Sequence, residues 1–141
     1  MDTAVQTEAR TATADRERIA TAVVDVVLIA GLVLLGRIEH GVNPIAEPIA
    51  SLETVAPFVI GWAAIAALAG IYTRDRPVGK ERLRLTTLSW IAAANVGLML
   101  RASALFDGGA TWPFPLVITG FGLIVLLGWR AAYMLYRSVT N

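Results

Sequence analysis

The chain contains no cysteine and only one histidine among its 141 residues. Without cysteine there are no disulfides, no thiol catalysis and no cysteine-based metal site. With a single histidine we predict no metal site and no haem held by two histidines in one copy, and therefore no cofactor. Charged residues make up only 16% of the chain, and no basic face with interleaved aromatic residues is present to bind nucleic acid.

Motifs of known catalytic chemistry are also missing. The sequence has no H-E-x-x-H metalloprotease motif, no phosphate-binding Walker A loop, no G-x-S-x-G nucleophile elbow and no dinucleotide fingerprint. We therefore identify no catalytic residues, and an enzymatic function is the least favoured of the classes considered.

What is present is apolar sequence: 56% of residues are hydrophobic, and the mean hydropathy is +0.63. Four largely apolar segments cover about residues 19–36, 55–72, 85–106 and 115–136. Because about 20 helical residues cross a hydrocarbon core, and helices satisfy their own backbone, each segment predicts a transmembrane helix. The expected fold is an all-α, up-and-down bundle over residues 19–141, preceded by a polar cytoplasmic tail, residues 1–18. A cleaved signal peptide is a minor alternative for the first segment, which is long for one and lacks an A-x-A site.

Basic residues indicate the orientation. They concentrate before the first segment and between the second and third, whereas the other two loops are poor in Lys and Arg. By the positive-inside rule we predict that both termini lie in the cytoplasm and that the protein is a multi-pass protein of the cytoplasmic membrane. The bases that carry this prediction are Arg10, Arg16, Arg18, Arg74, Arg76, Lys80, Arg82 and Arg84.

Three charges interrupt the apolar segments: Asp25, Arg101 and Arg130. With a helical rise of 1.5 Å per residue, Asp25 and Arg130 lie about 9 and about 10 Å from the inner edge, and Arg101 about 24 Å from it. Asp25 and Arg130 therefore share a layer on helices that neighbour each other in such a bundle, and we predict an ion pair between them. The pair is either a structural clamp between helices or a gated site opened by a substrate or a proton.

The outer end has its own group of polar residues. Arg101 belongs to the same layer as Arg37, Glu39 and His40, which together form a candidate outer cluster. Arg101 either extends to the lipid headgroups or pairs with a carboxylate. With Glu47 and Glu53, the outer residues near Arg37 are the only candidate for a membrane-embedded enzyme site. The carboxylates within reach of Arg101 are Glu39, Glu53 and Asp107.

Small and polar residues within segments two and three predict how the helices pack. Ala66/Gly70 and Ala93/Gly97 are spaced four apart, which lets helix backbones approach closely. Asn95 lies near the middle of the membrane, and we predict that its amide bonds to another helix.

A set of short motifs extends from about Ala20 to Arg130, and together they resemble a family of small four-helix membrane proteins of bacteria and archaea that is known only as a domain of unknown function. The resemblance implies a polytopic membrane protein and supplies no substrate. Members usually have a second base and a Ser between Arg37 and His40, where this chain has Ile38 and Glu39, which argues against an anion site there. The matching elements are Asp25, Gly36-Arg37, His40, Ala56-Pro57-Phe58, Gly61-Trp62, Trp90, Gly97, Leu100-Arg101 and Gly128-Trp129-Arg130.

Two functions follow as hypotheses. The first is a small transporter or channel-like protein; because four helices enclose little interior, transport predicts a homo-oligomer. The second is a structural or assembly subunit whose intramembrane charges only hold helices together. The lipid bilayer is the one partner that both require, and the sequence names no small-molecule ligand.

Overall fold

A computed structural model describes residues 2–73, 75–106 and 108–140. It contains four helices, α1 (Asp2–Glu39), α2 (Pro48–Ala69), α3 (Gly79–Arg101) and α4 (Phe114–Thr140), and no strand among the residues it describes. All four are long and apolar enough to cross a membrane. The prediction of an all-α protein with four transmembrane helices is confirmed.

The helices form an up-and-down bundle. Each helix packs against the next one along the chain, and α4 closes the ring against α1. The α2–α3 contact is the most extensive and the α1–α4 contact the least. Large apolar side chains such as Val27, Ile60, Leu68 and Ile124 are exposed on the outside of the bundle, where they face lipid.

The helices do not end where the apolar segments end. Residues 2–18, expected as a polar tail, continue α1 without a break, because this stretch contains neither Gly nor Pro to interrupt a helix. Its threonine hydroxyls bond to carbonyls four residues back, as Thr7 does to Thr3 at 2.8 Å. Most of the extension is exposed.

The other boundaries follow local chain chemistry. Pro48 occupies the start of α2, where its missing N–H costs nothing, and Gly70 ends the helix in a left-handed conformation with φ 72°. The structure ends α3 at Arg101, earlier than the expected residue 106, because the following loop folds back. Gly109 N–H then donates to the Arg101 carbonyl at 3.2 Å.

The core lies where small residues let large aromatic residues interlock. A Cβ at Gly61 would come within 2.6 Å of the Ala93 carbonyl oxygen, so α2 and α3 need glycine for their close approach. Gly122 of α4 lies against the indole of Trp90, which a Cβ would overlap. Phe58 and Trp90 are completely buried, and Trp62 is 1% exposed. The core therefore joins α2, α3 and α4, and Ile29 and Val33 add α1 to it.

Candidate functional site

Asp25 and Arg130 meet in the half of the bundle that holds the α2–α3 connection, which we call the inner half, and the opposite half is the outer half. Arg130 Nη1 lies 2.6 Å from Asp25 Oδ1 and Nη2 lies 2.7 Å from Oδ2, a bidentate ion pair. The residues are 0% and 1% exposed. The pair joins α1 to α4 at the helix seam that otherwise has the fewest contacts.

Two further side chains donate to the same carboxylate. Trp129 Nε1 donates to Oδ1 at 2.9 Å, and the Tyr72 hydroxyl donates to Oδ2 at 2.5 Å. Trp62 Nε1 in turn donates to the Tyr72 oxygen at 2.7 Å. Asp25 therefore accepts four hydrogen bonds, about the number that a carboxylate can accept.

The turn after α2 places Tyr72 in this group, which we call the Asp25 cluster (Asp25, Tyr72, Trp62, Trp129 and Arg130). Gly70 reverses the chain, Ile71 is buried, and Tyr72 then points back into the bundle. Burial, and then the neighbouring Asp25 carboxylate, raises the pKa of the Tyr72 phenol, so the hydroxyl stays protonated and available as a donor.

Sequence reasoning placed Asp25 and Arg130 in one layer but missed Tyr72, Trp62 and Trp129. A partial signal was present, because Tyr and Trp each carry one polar atom and Trp129 directly precedes Arg130 in the chain. Arg18 contributes from α1 by donating to the Tyr72 backbone carbonyl at 3.3 Å, which fixes the turn.

The predicted outer residues lie around one cavity. Arg37, Glu39, His40 and Arg101 all line a cavity of about 460 Å³ whose walls are otherwise mainly apolar. We call it the outer cavity. Its apolar walls come from the outer halves of α1 and α4: Leu32, Val33, Leu35, Phe114, Val117, Ile118 and Phe121.

Within this group Arg37 is the better anchored base. Its Nη1 donates to the Thr54 hydroxyl at 2.8 Å, and its Nη2 lies 3.3 Å from the Glu47 carboxylate. Its Nε is buried and has no hydrogen-bond partner among the described residues. His40 is exposed, and its Nδ1 lies 2.7 Å from the Gly36 carbonyl of its own helix.

Arg101 is not paired with a carboxylate of the described residues. Neither Glu39 nor Glu53 bridges to it, and Asp107, the third predicted partner, lies outside the described residues. The loop that folds back over the end of α3 holds the side chain instead. Arg101 Nε donates to the Gly109 carbonyl at 2.7 Å, and the guanidinium lies 4.5 Å from the centre of the Phe114 ring.

Asn95 makes no hydrogen bond to another helix of the bundle among the described residues. Its Nδ2 donates to the Ile91 carbonyl of its own helix at 2.7 Å, and the residue is exposed. The reason is rotational: Ala94, the preceding residue, is completely buried and turns Asn95 to the outside of the bundle. No three His, Asp or Glu side chains in the described ranges lie close enough to hold a metal ion.

Comparison with known proteins gives a family and no activity. Residues 22–133 match the family described as a protein of unknown function, DUF3054, and this span includes both Asp25 and Arg130. No curated protein and no solved structure matches the chain significantly. The chain is thus an integral membrane protein with four transmembrane helices, and it belongs to the DUF3054 family.

Proposed function

We propose that this protein is a structural or assembly subunit of the cytoplasmic membrane, rather than a transporter with a pathway through one copy. The observation that carries the proposal is the Asp25 carboxylate, which is buried and accepts four hydrogen bonds. A carboxylate in this state has no acceptor position left for a transported cation or proton. The Asp25 cluster is a clamp between α1, α4 and the α2–α3 connection.

The bundle arrangement supports an orientation with both termini in the cytoplasm. Antiparallel neighbours place the start of α1, the end of α4 and the α2–α3 connection at the same end. Basic residues occupy all three, among them Arg16, Lys80 and Arg137. Such residues favour the cytoplasmic side.

A second copy of this chain is the partner that α3 fits. Asn95 is exposed beside three exposed apolar residues of the same helix, Leu88, Ile91 and Met99. Its side-chain carbonyl accepts no hydrogen bond from the described residues, and the hydrocarbon offers it none. An amide is both donor and acceptor, so Asn95 can pair with Asn95 of a second copy across a two-fold axis. One such bond contributes about 0.6–2 kcal/mol in membranes.

The assembly part is tested by counting copies of the full chain in lipid nanodiscs. We expect a dimer that Asn95→Leu converts largely to monomer and that Asn95→Gln, which keeps the amide, preserves. A monomeric native chain, or a dimer unaffected by Asn95→Leu, would contradict the α3 interface.

The clamp part is tested separately by flux. Proteoliposomes under an imposed proton or cation gradient should leak no faster than empty liposomes. A flux that Asp25→Asn abolishes without lowering the melting temperature would overturn the structural role and restore the transporter hypothesis.

A further inference from the structure

The outer cavity has the form of a binding site. Its volume of about 460 Å³ falls within the range of about 300–1,000 Å³ that is typical of small-molecule sites. Val33 and Ile118 form its buried side, whereas Leu35, Val117 and Phe121 are exposed on the lipid-facing surface. The cavity therefore lies at the α1–α4 seam and is bordered by side chains that face the hydrocarbon.

Both arginines of the outer end line this cavity. Arg37 and Arg101 come from α1 and α3, and their side chains are partly buried. Two cations beside an apolar cavity repel each other, and a nearby anion would offset this repulsion. Glu47 compensates Arg37 only weakly, because its side chain is 58% exposed and 3.3 Å away. Glu39, which also lines the cavity, is exposed and pairs with neither arginine.

We propose that the outer cavity binds one anionic phospholipid of the surrounding bilayer. An acyl chain would lie along the apolar walls between α1 and α4, and the phosphate would contact Arg37 and Arg101. Planar guanidinium groups pair well with phosphate oxygens, and two of them from different helices can contact one phosphate group. A lipid reaches the cavity laterally, without passing through water. This inference is independent of the dimer and of the clamp.

The second base of the outer cavity does not come from residues 38 and 39. Ile38 and Glu39, in place of a base and a Ser, argued against an anion site next to Arg37. The second cation comes instead from α3, since Arg101 lines the same cavity, and Ile38 is 53% exposed. The site does not depend on a base at residue 38 or 39.

The test measures lipid binding to the full chain purified in a neutral detergent. Phosphatidylglycerol, phosphatidylcholine and oleate are added separately, and binding is followed by native mass spectrometry and by the shift in melting temperature. The variants are Arg37→Gln/Arg101→Gln, which removes the cations, and Val117→Trp, which fills the cavity without changing charge. Arg84→Gln is the matched control, because it removes one exposed positive charge at the opposite end of α3.

We expect phosphatidylglycerol to bind and to raise the melting temperature, with phosphatidylcholine at least fivefold weaker. The double variant and Val117→Trp should each lose at least fivefold in affinity, and Arg84→Gln less than twofold. Melting without added lipid shows which variants are folded, and either folded cavity variant suffices for the test. Equal losses in Arg84→Gln and the double variant would mean non-specific attraction. Unchanged binding in a folded cavity variant, or binding of oleate alone, would overturn the proposal.

Discussion

The inner and outer ends of the α1–α4 seam differ in how their arginines are paired with carboxylates. At the inner end, Arg130 meets a carboxylate that accepts four hydrogen bonds, and both residues are buried. At the outer end, Arg37 and Arg101 border an apolar cavity and have only one exposed carboxylate paired with them among the described residues. Arginine therefore closes the seam through an ion pair at one end. At the other end it borders a cavity that can accept a ligand.

The largest effect is expected from opening the inner end. Asp25→Asn keeps the side-chain shape but leaves Arg130 as an uncompensated buried charge, which should cost about 3–5 kcal/mol of unfolding free energy. Arg130→Met should cost a similar amount. The double variant should cost less than the sum of the two, because neither charge then remains without a partner. Unfolding in mixed micelles measures all three.

The control for this series is the charge-reversed pair. The reversed pair Asp25→Arg/Arg130→Asp should recover only part of the loss, because Tyr72 and Trp129 would then point their donors at a cation. If the single variants unfold like the native chain, or if the double variant costs the full sum, the inner pair does not hold the bundle.

A smaller effect is expected from Tyr72→Phe. This change removes a donor to Asp25 and the acceptor of Trp62, and a hydrogen bond to a charged group contributes about 1.5–3 kcal/mol. Tyr133→Phe is the matched control, because its hydroxyl makes no hydrogen bond to the described residues, and it should cost at most about 0.5 kcal/mol. Equal melting temperatures for the two variants would remove Tyr72 from the Asp25 cluster.

The smallest effect is expected at the outer end. Glu47→Gln breaks the exposed pair with Arg37 and should cost at most about 1 kcal/mol, with the cost vanishing at high ionic strength. Thermal melting at low and high salt measures it. A loss as large as that of Asp25→Asn would show that the two ends of the seam are equally structural, and the comparison between them would fail.

Depth along each helix was predictable from the sequence, because the rise per residue is constant. Counting residues placed Asp25 and Arg130 in one layer and Arg37 with Arg101 in another, and the structure puts each pair at one level. Rotation about the helix axis was not predictable in the same way. Asn95 has the expected depth but faces outward, since which side of α3 is buried depends on how Gly61 and Gly97 let α2 approach.

Contacts made by turns were also not predictable from the sequence pattern. Tyr72 reaches Asp25 only because Gly70 adopts a left-handed conformation and reverses the chain after α2. Arg101 is held by Gly109, eight residues later, through a loop that no periodic pattern describes. The outer cavity depends in turn on the distance between α1 and α4, which apolar composition does not determine.

The ion pair between Asp25 and Arg130 also has a consequence for biosynthesis. The two residues are separated by 105 positions, so the carboxylate enters the membrane with α1 long before the ribosome has made its guanidinium partner. A chain interrupted before Arg130 has no cation to pair with Asp25. Synthesis of the last helix through Arg130 therefore supplies the partner of Asp25, and the buried pair between α1 and α4 forms only after that point.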